Sequence, residues 1–178
     1  MQGLTENEQA YLDYIQSRVD VLRDHLNRTD LALDADLGAW FTTISELRAI
    51  QGNISNDVSF LATLMVKQYL TERFPIEPFD AAEKAQGAPG LDIDITTADG
   101  RRIVGEIKTT VPYQAERRDL GAAQRSSFQK DFKKLNEAEA AHKFFFVTDP
   151  LTYEIMHERY VSEIPGVEVV LLPEGNTS

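Results

Sequence analysis

The sequence predicts an α/β fold, a mixed central β-sheet flanked by helices, preceded by a helical N-terminal extension. Three observations carry this. Apolar residues recur at helical spacing through roughly the first seventy residues. The period then switches to strict alternation after Gly90. Two short apolar runs, KFFFVT at 143–148 and VEVVLL at 167–172, have the length and composition of buried strands.

Taken in order, residues 5–27 read as a helix. Thr5 followed by Glu8 forms a capping box, and Tyr11, Leu12, Ile15, Val19, Leu22 and Leu26 supply an apolar stripe. A second helix is expected over 35–50, around Leu37, Trp40, Phe41, Ile44 and Leu47. A third covers 57–73, with Ser55 or Asn56 as its cap and Pro75 and Pro78 ending it. Leu91, Ile93 and Ile95 alternate with Asp92, Asp94 and Thr96 in a strand. Ala98-Asp99-Gly100 is a hairpin turn, and RRIVGEIKTT is the partner strand. Residues 119–141 return to helix. The KFFFVT strand, a short helix at 150–161 opened by Pro150, and the VEVVLL strand complete the chain. The order is helix, antiparallel strands, helix, strand, helix, strand, which makes a sheet covered on two sides.

A chain of 178 residues fits one domain. Within it, 1–54 reads as a helical extension with a possible role in dimerisation, 55–172 as the core and 173–178 as a flexible tail. Hydrophobic residues are 42% and charged residues 26%, a globular balance. Cysteine is absent, which excludes a disulfide scaffold, a thiolate zinc site and a cysteine nucleophile. No apolar run approaches the ~20 residues of a membrane span. The polar, acidic N-terminus is unlike a signal peptide, so a cytoplasmic protein is expected.

The net charge of −11 is unevenly spread. Residues 101–134 hold nine basic and four acidic residues, a local +5 against −16 for the rest. An anionic substrate would meet one cationic surface on an acidic protein; a solvated helix face is the alternative.

The chemistry concentrates between Gly90 and Lys108. Strand alternation places Asp92 with Asp94 on one face and Glu106 with Lys108 on one face of the next strand. The turn at Asp99–Gly100 brings the two polar faces together. Converging carboxylates repel and are costly to desolvate, and a divalent cation removes both problems. Mg²⁺ takes oxygen ligands, binding through one or two carboxylates plus substrate phosphate. With an adjacent lysine these are the parts for metal-dependent phosphodiester hydrolysis.

Asp92, thirteen intervening residues, then Glu106-Ile107-Lys108 on a strand–turn–strand resembles the PD-(D/E)XK, or restriction-endonuclease-like, nuclease superfamily. The resemblance covers roughly 55–172 as an order of elements and 89–110 as sequence. It implies an αβββαβ core and a Mg²⁺-dependent endodeoxyribonuclease acting on double-stranded DNA, with Mn²⁺ as substitute metal. A type II restriction endonuclease working as a homodimer is its most specific form. Carried over, Asp92, Glu106 and the main-chain carbonyl of Ile107 are metal ligands, and Lys108 is the catalytic lysine. Asp94 competes with Asp92 for the first ligand position, and Asp57 or Glu72 would be an acid on the preceding helix. Tyr113, Arg117, Arg118, Gln124, Arg125, Lys130, Lys133 and Lys134 are the candidate DNA contacts, with Gln129 a further helix glutamine. The alternatives are a repair or recombination nuclease of the same fold, and a noncatalytic acidic interaction protein or DNA mimic.

Overall fold

The computed structural model describes residues 3–29, 36–83 and 89–173. The proposed tail lies almost wholly outside the described residues. Three helices come first: α1 (Glu6–Arg28), α2 (Leu37–Gln51) and α3 (Ile54–Arg73). The capping box at the start of α1 is present in both directions, Thr5 Oγ1 accepting from Glu8 N–H and Glu8 accepting from Thr5 N–H. Helix α3 begins earlier than its side chains suggest. Its first turn closes on the Asn53 carbonyl, which accepts from Asn56 N–H, and no side chain caps it.

Strands β1 (Ile93–Thr96) and β2 (Arg102–Lys108) form an antiparallel hairpin. Residues 98–100 form its loop, closed by Thr97 and Arg101, with Gly100 at φ 83°. A three-residue loop ending in a left-handed residue needs glycine there. Helix α4 (Ala122–Glu137) crosses over to β3 (His142–Val147), which pairs parallel to β2. Helix α5 (Pro150–Ile155) runs on through a π-turn at Met156–Tyr160 and leads to β4 (Glu168–Leu171), parallel to β3. Pro150 sits in the first turn of α5, and Asp149 caps it by accepting from Thr152 N–H at 2.7 Å.

The four strands lie in the order β1-β2-β3-β4, so the mixed α/β class and the helix-flanked sheet read from the sequence hold. The αβββαβ order implied by the resemblance is not fully present. Between α3 and α4 the described residues contain two strands. A single antiparallel bridge, Ile76 to Thr97, stands where a further strand would pair.

Alternation divides the sheet into two faces. Ile93, Ile103, Phe144, Phe146 and Val170 pack with Val66, Tyr69 and Leu70 of α3. On the other face Val104, Phe145, Val147 and Val169 pack with Leu120, Phe128, Phe132 and Leu135 around α4 and with Ile155 and Met156 beyond it. The phenylalanines of β3 are therefore core on both sides, as their run implies. Gly105 sits in close quarters: a Cβ there would lie 3.2 Å from the Phe146 ring and 3.4 Å from Ile93, so a larger residue would require the neighbours to give by a few tenths of an ångström.

Helix α1 folds back on the core. The Tyr11 ring packs at a tilt on Phe60, centroids 4.2 Å apart, and Arg18 pairs with Asp57. The buried Glu8 carboxylate takes Lys67 Nζ at 2.8 Å on each oxygen and Ala81 N–H at 2.7 Å. Helix α2 has no buried residue, with Leu37 88% and Phe41 74% exposed. Among the described residues no helix is long and apolar enough to cross a membrane.

Candidate active site

The hairpin register sets the site. Ile93, the first residue of β1, pairs with Gly105, and Asp92 just before it lies beside Glu106. Both side chains lie on the α4 face, as does Lys108. Asp92 Oδ2 accepts from Ile107 N–H at 2.9 Å. A strand residue directs its N–H and C=O to the same neighbour, so the Ile107 carbonyl faces the Asp92 edge as well.

Glu106 is 1% exposed. Burial pushes its carboxyl up to about 8, and the Asp92 carboxylate beside it pushes in the same direction. From α4, Lys134 donates to Glu106 Oε1 at 2.9 Å and lies 3.1 Å from Asp131 Oδ1. The other Asp131 oxygen pairs with Lys108 Nζ, which also donates to Ser127 Oγ at 3.3 Å. Burial works against the Lys134 charge, but its bonds to Glu106 and Asp131 outweigh that and hold the ammonium above its ordinary value.

Three carboxylates and two ammonium groups thus share one partly closed space. With all five ionised, one negative charge is left over. This donor set is oxygen-only and anionic, and it fits a hard divalent cation held by Asp92, Glu106 and the Ile107 carbonyl. Among the described residues, however, no group of three or more His, Asp or Glu side chains is arranged to hold a metal by itself. Any cation here would complete its shell with water or substrate oxygen.

The remaining candidates fall elsewhere. Asp94 is turned to Arg102, which holds it with two bonds of 2.8 Å. Asp57 is committed to α1 through Arg18 and the Tyr11 hydroxyl at 3.3 Å. Glu72, in the last turn of α3, accepts from Gln68 at 2.9 Å. Among the described residues, Asp57 and Glu72 bond to groups other than Asp92, Glu106 and Lys108.

The basic segment is less open than its composition suggests. Seven of its nine bases are paired with carboxylates: Arg101, Arg102, Lys108, Arg118, Arg125, Lys133 and Lys134. Arg118 is held by Glu154 and Glu158, and Arg125 by Asp119. Arg117 and Lys130 have no ion pair among the described residues, and both are exposed. Tyr113 is 83% exposed. Gln124 is buried and stitches the segment after β2 to the start of α4. Its Oε1 accepts from Tyr113 N–H (3.1 Å) and Gly121 N–H (3.0 Å), and its Nε2 donates to the Val111 carbonyl (2.8 Å). Every polar atom of that side chain is used, so it is a brace rather than a free contact. Gln129 is exposed.

Sequence reasoning missed Asp131 and read Lys134 as a surface base. The available signal was spacing. Ser127, Asp131 and Lys134 fall at i, i+4 and i+7, one step round the helix from Phe128, Phe132 and Leu135. An acid on that line faces the sheet. Comparisons with family models, with curated proteins and with solved structures found no match to this chain.

Proposed function

We propose that the protein is a Mg²⁺-dependent endodeoxyribonuclease of the PD-(D/E)XK type. The observation that carries this reading is the neighbouring pair Asp92–Glu106 at the end of the hairpin, the first exposed and the second buried, with Lys108 two residues further along the same face. A sheet seldom buries a carboxylate against a second one without a purpose, because burial and the neighbouring charge both raise the cost of ionising it. Sequence-specific cleavage of duplex DNA by a homodimer is the more detailed form of the proposal. A repair or recombination nuclease has the same chemistry.

In this reading Asp92, Glu106 and the Ile107 carbonyl hold the cation. When bound, it supplies Lewis-acid polarisation of the phosphate and a more acidic water. The chain's own groups do the rest. The hairpin fixes both carboxylates without reorganisation. Lys108, steadied by Asp131, presents its ammonium to the attacking water and to the charge that develops on phosphorus. The α4 helix covers the site and limits water. Arg117, Lys130 and Tyr113 are free to meet a phosphate backbone.

One observation favours a second reading. Lys134 already neutralises Glu106, and most bases of the cationic segment are paired, as in a noncatalytic acidic interaction protein. One digest separates the two: mixed-sequence duplex DNA with purified protein in Mg²⁺, Mn²⁺, Ca²⁺ or EDTA. Cleavage in Mg²⁺ and Mn²⁺, binding with little cleavage in Ca²⁺, and none in EDTA support the enzyme. Intact DNA under every condition, or full cleavage in EDTA, refutes it. Discrete bands distinguish a sequence-specific cutter from a smear of general cleavage.

A further inference from the structure

We propose that Lys134 is a tethered counter-ion of the carboxylate pair, occupying the place on Glu106 that a divalent cation takes, with Asp131 retaining the ammonium when the cation enters. This rests on the metal-site reading above and adds to it a residue of α4 outside the Asp92–Glu106–Lys108 motif.

The geometry suits an exchange. Lys134 Nζ is bonded to two acceptors at once, Glu106 Oε1 at 2.9 Å and Asp131 Oδ1 at 3.1 Å. Releasing the first leaves the second in place. The two partners differ in mobility: the Glu106 side chain is 2% exposed, whereas that of Lys134 is 41% exposed on a flexible four-carbon stem. The lysine is the partner that can move. Asp131 lies one turn back on the same helix and is already anchored by Lys108, so the move requires no shift of backbone. An ammonium and a divalent ion sharing one carboxylate oxygen repel strongly at that separation, so they compete for it. The device keeps the buried carboxylates compensated when no metal is bound. It also weakens metal binding, because each entering ion must displace a resident charge.

The test measures Mn²⁺ binding directly, without DNA, by electron paramagnetic resonance on the full chain at a fixed pH of about 8. Lys134→Met and Lys134→Gln should each tighten Mn²⁺ binding by about tenfold, since the competing charge is gone. Lys133→Met, on an exposed lysine paired only with Glu137, should leave it unchanged. A second readout follows the wild-type chain, with Glu106→Gln as its control. With lysines reductively ¹³C-methylated, the Lys134 resonance should shift on adding Mg²⁺ and stay put in Glu106→Gln. If the wild type binds Mn²⁺ and the Lys134 variants bind no tighter, or the resonance does not move, the counter-ion proposal fails alone. If the wild type and the variants bind no Mn²⁺, the metal-site reading fails and takes the proposal with it.

Discussion

The molecule buries glutamate beside lysine twice, and the two places are built differently. At Glu8 the accounts close. One carboxylate meets one ammonium through both oxygens, and the N–H groups of Thr5 and Ala81 take the remaining lone pairs. At Glu106 they do not close. Asp92 and Asp131 crowd the same space, two lysines serve three carboxylates, and the Glu106 carboxyl is driven up to about 8 by burial and by Asp92. The first arrangement is what a fold does to pin α1 to α3. The second is charge kept in reserve, costly to the fold and useful to a ligand.

Removing a lysine from each place should expose that difference. Lys67→Met leaves Glu8 buried without its partner and should cost about 3–5 kcal/mol of stability, read from urea unfolding. Little or no loss would mean that α1 is not held by this pair. Lys108→Ala should instead spare the fold and lower Mg²⁺-dependent cleavage by about 10²–10³-fold. Parallel cleavage and Ca²⁺-supported binding assays would check it, and wild-type cutting by the variant would remove Lys108 from the chemistry.

Replacing the crowded acid should move stability the other way. In EDTA, Glu106→Gln should stabilise the protein by about 1–3 kcal/mol above pH 8, because its amide can accept from Lys134 and donate to Asp92. The sign follows from the raised value. The folded state holds the Glu106 proton more tightly than the unfolded chain, so the wild type is favoured below about 4.5 and loses that advantage as pH rises through about 8. The difference between variant and wild type should therefore open between those limits. A difference independent of pH would show that Glu106 is not under strain. Cleavage should be lost in this variant at every pH.

The smallest effect is expected at Asp94. Its pair with Arg102 is exposed, so Asp94→Ala should change stability by less than about 1 kcal/mol and leave cleavage near wild type. Asp92→Ala should abolish cleavage. Equal loss in both would reopen the choice of first ligand.

Elements with local signals were legible from the chain. The capping box at Thr5, the alternation through 91–96, the Asp99–Gly100 turn and the apolar run of β3 each depend on neighbours in sequence. They appear as read, except that β1 starts at Ile93 and Leu91 packs on the α4 side of the sheet, not with Ile93 and Ile95. The nearness of Asp92 and Glu106 was also accessible, because a tight turn fixes hairpin register. What escaped depends on distant partners. Asp131 meets Lys108 only because the α4 crossover lays one helix face over β2, and no local rule gives that rotation. The ion pairing within the basic segment escaped for the same reason. Glu154 and Glu158, which hold Arg118, lie well beyond it in the chain. That helix α1 packs on its own core through Glu8, Tyr11 and Arg18 also depends on distant partners, and Val19 and Leu26 of its stripe stay exposed.

The Gln124 side chain has a mechanical consequence. By tying Val111, Tyr113 and Gly121 together, it closes the path from the end of β2 to the start of α4 into a small loop within a loop. Lys108 stands on one end of that path, and Asp131 and Lys134 on the other. A single amide therefore acts as a crosspiece between the two halves of the charge cluster. Removing it would free the start of α4 from the segment after β2, while Phe128, Phe132 and Leu135 still held the helix on the sheet.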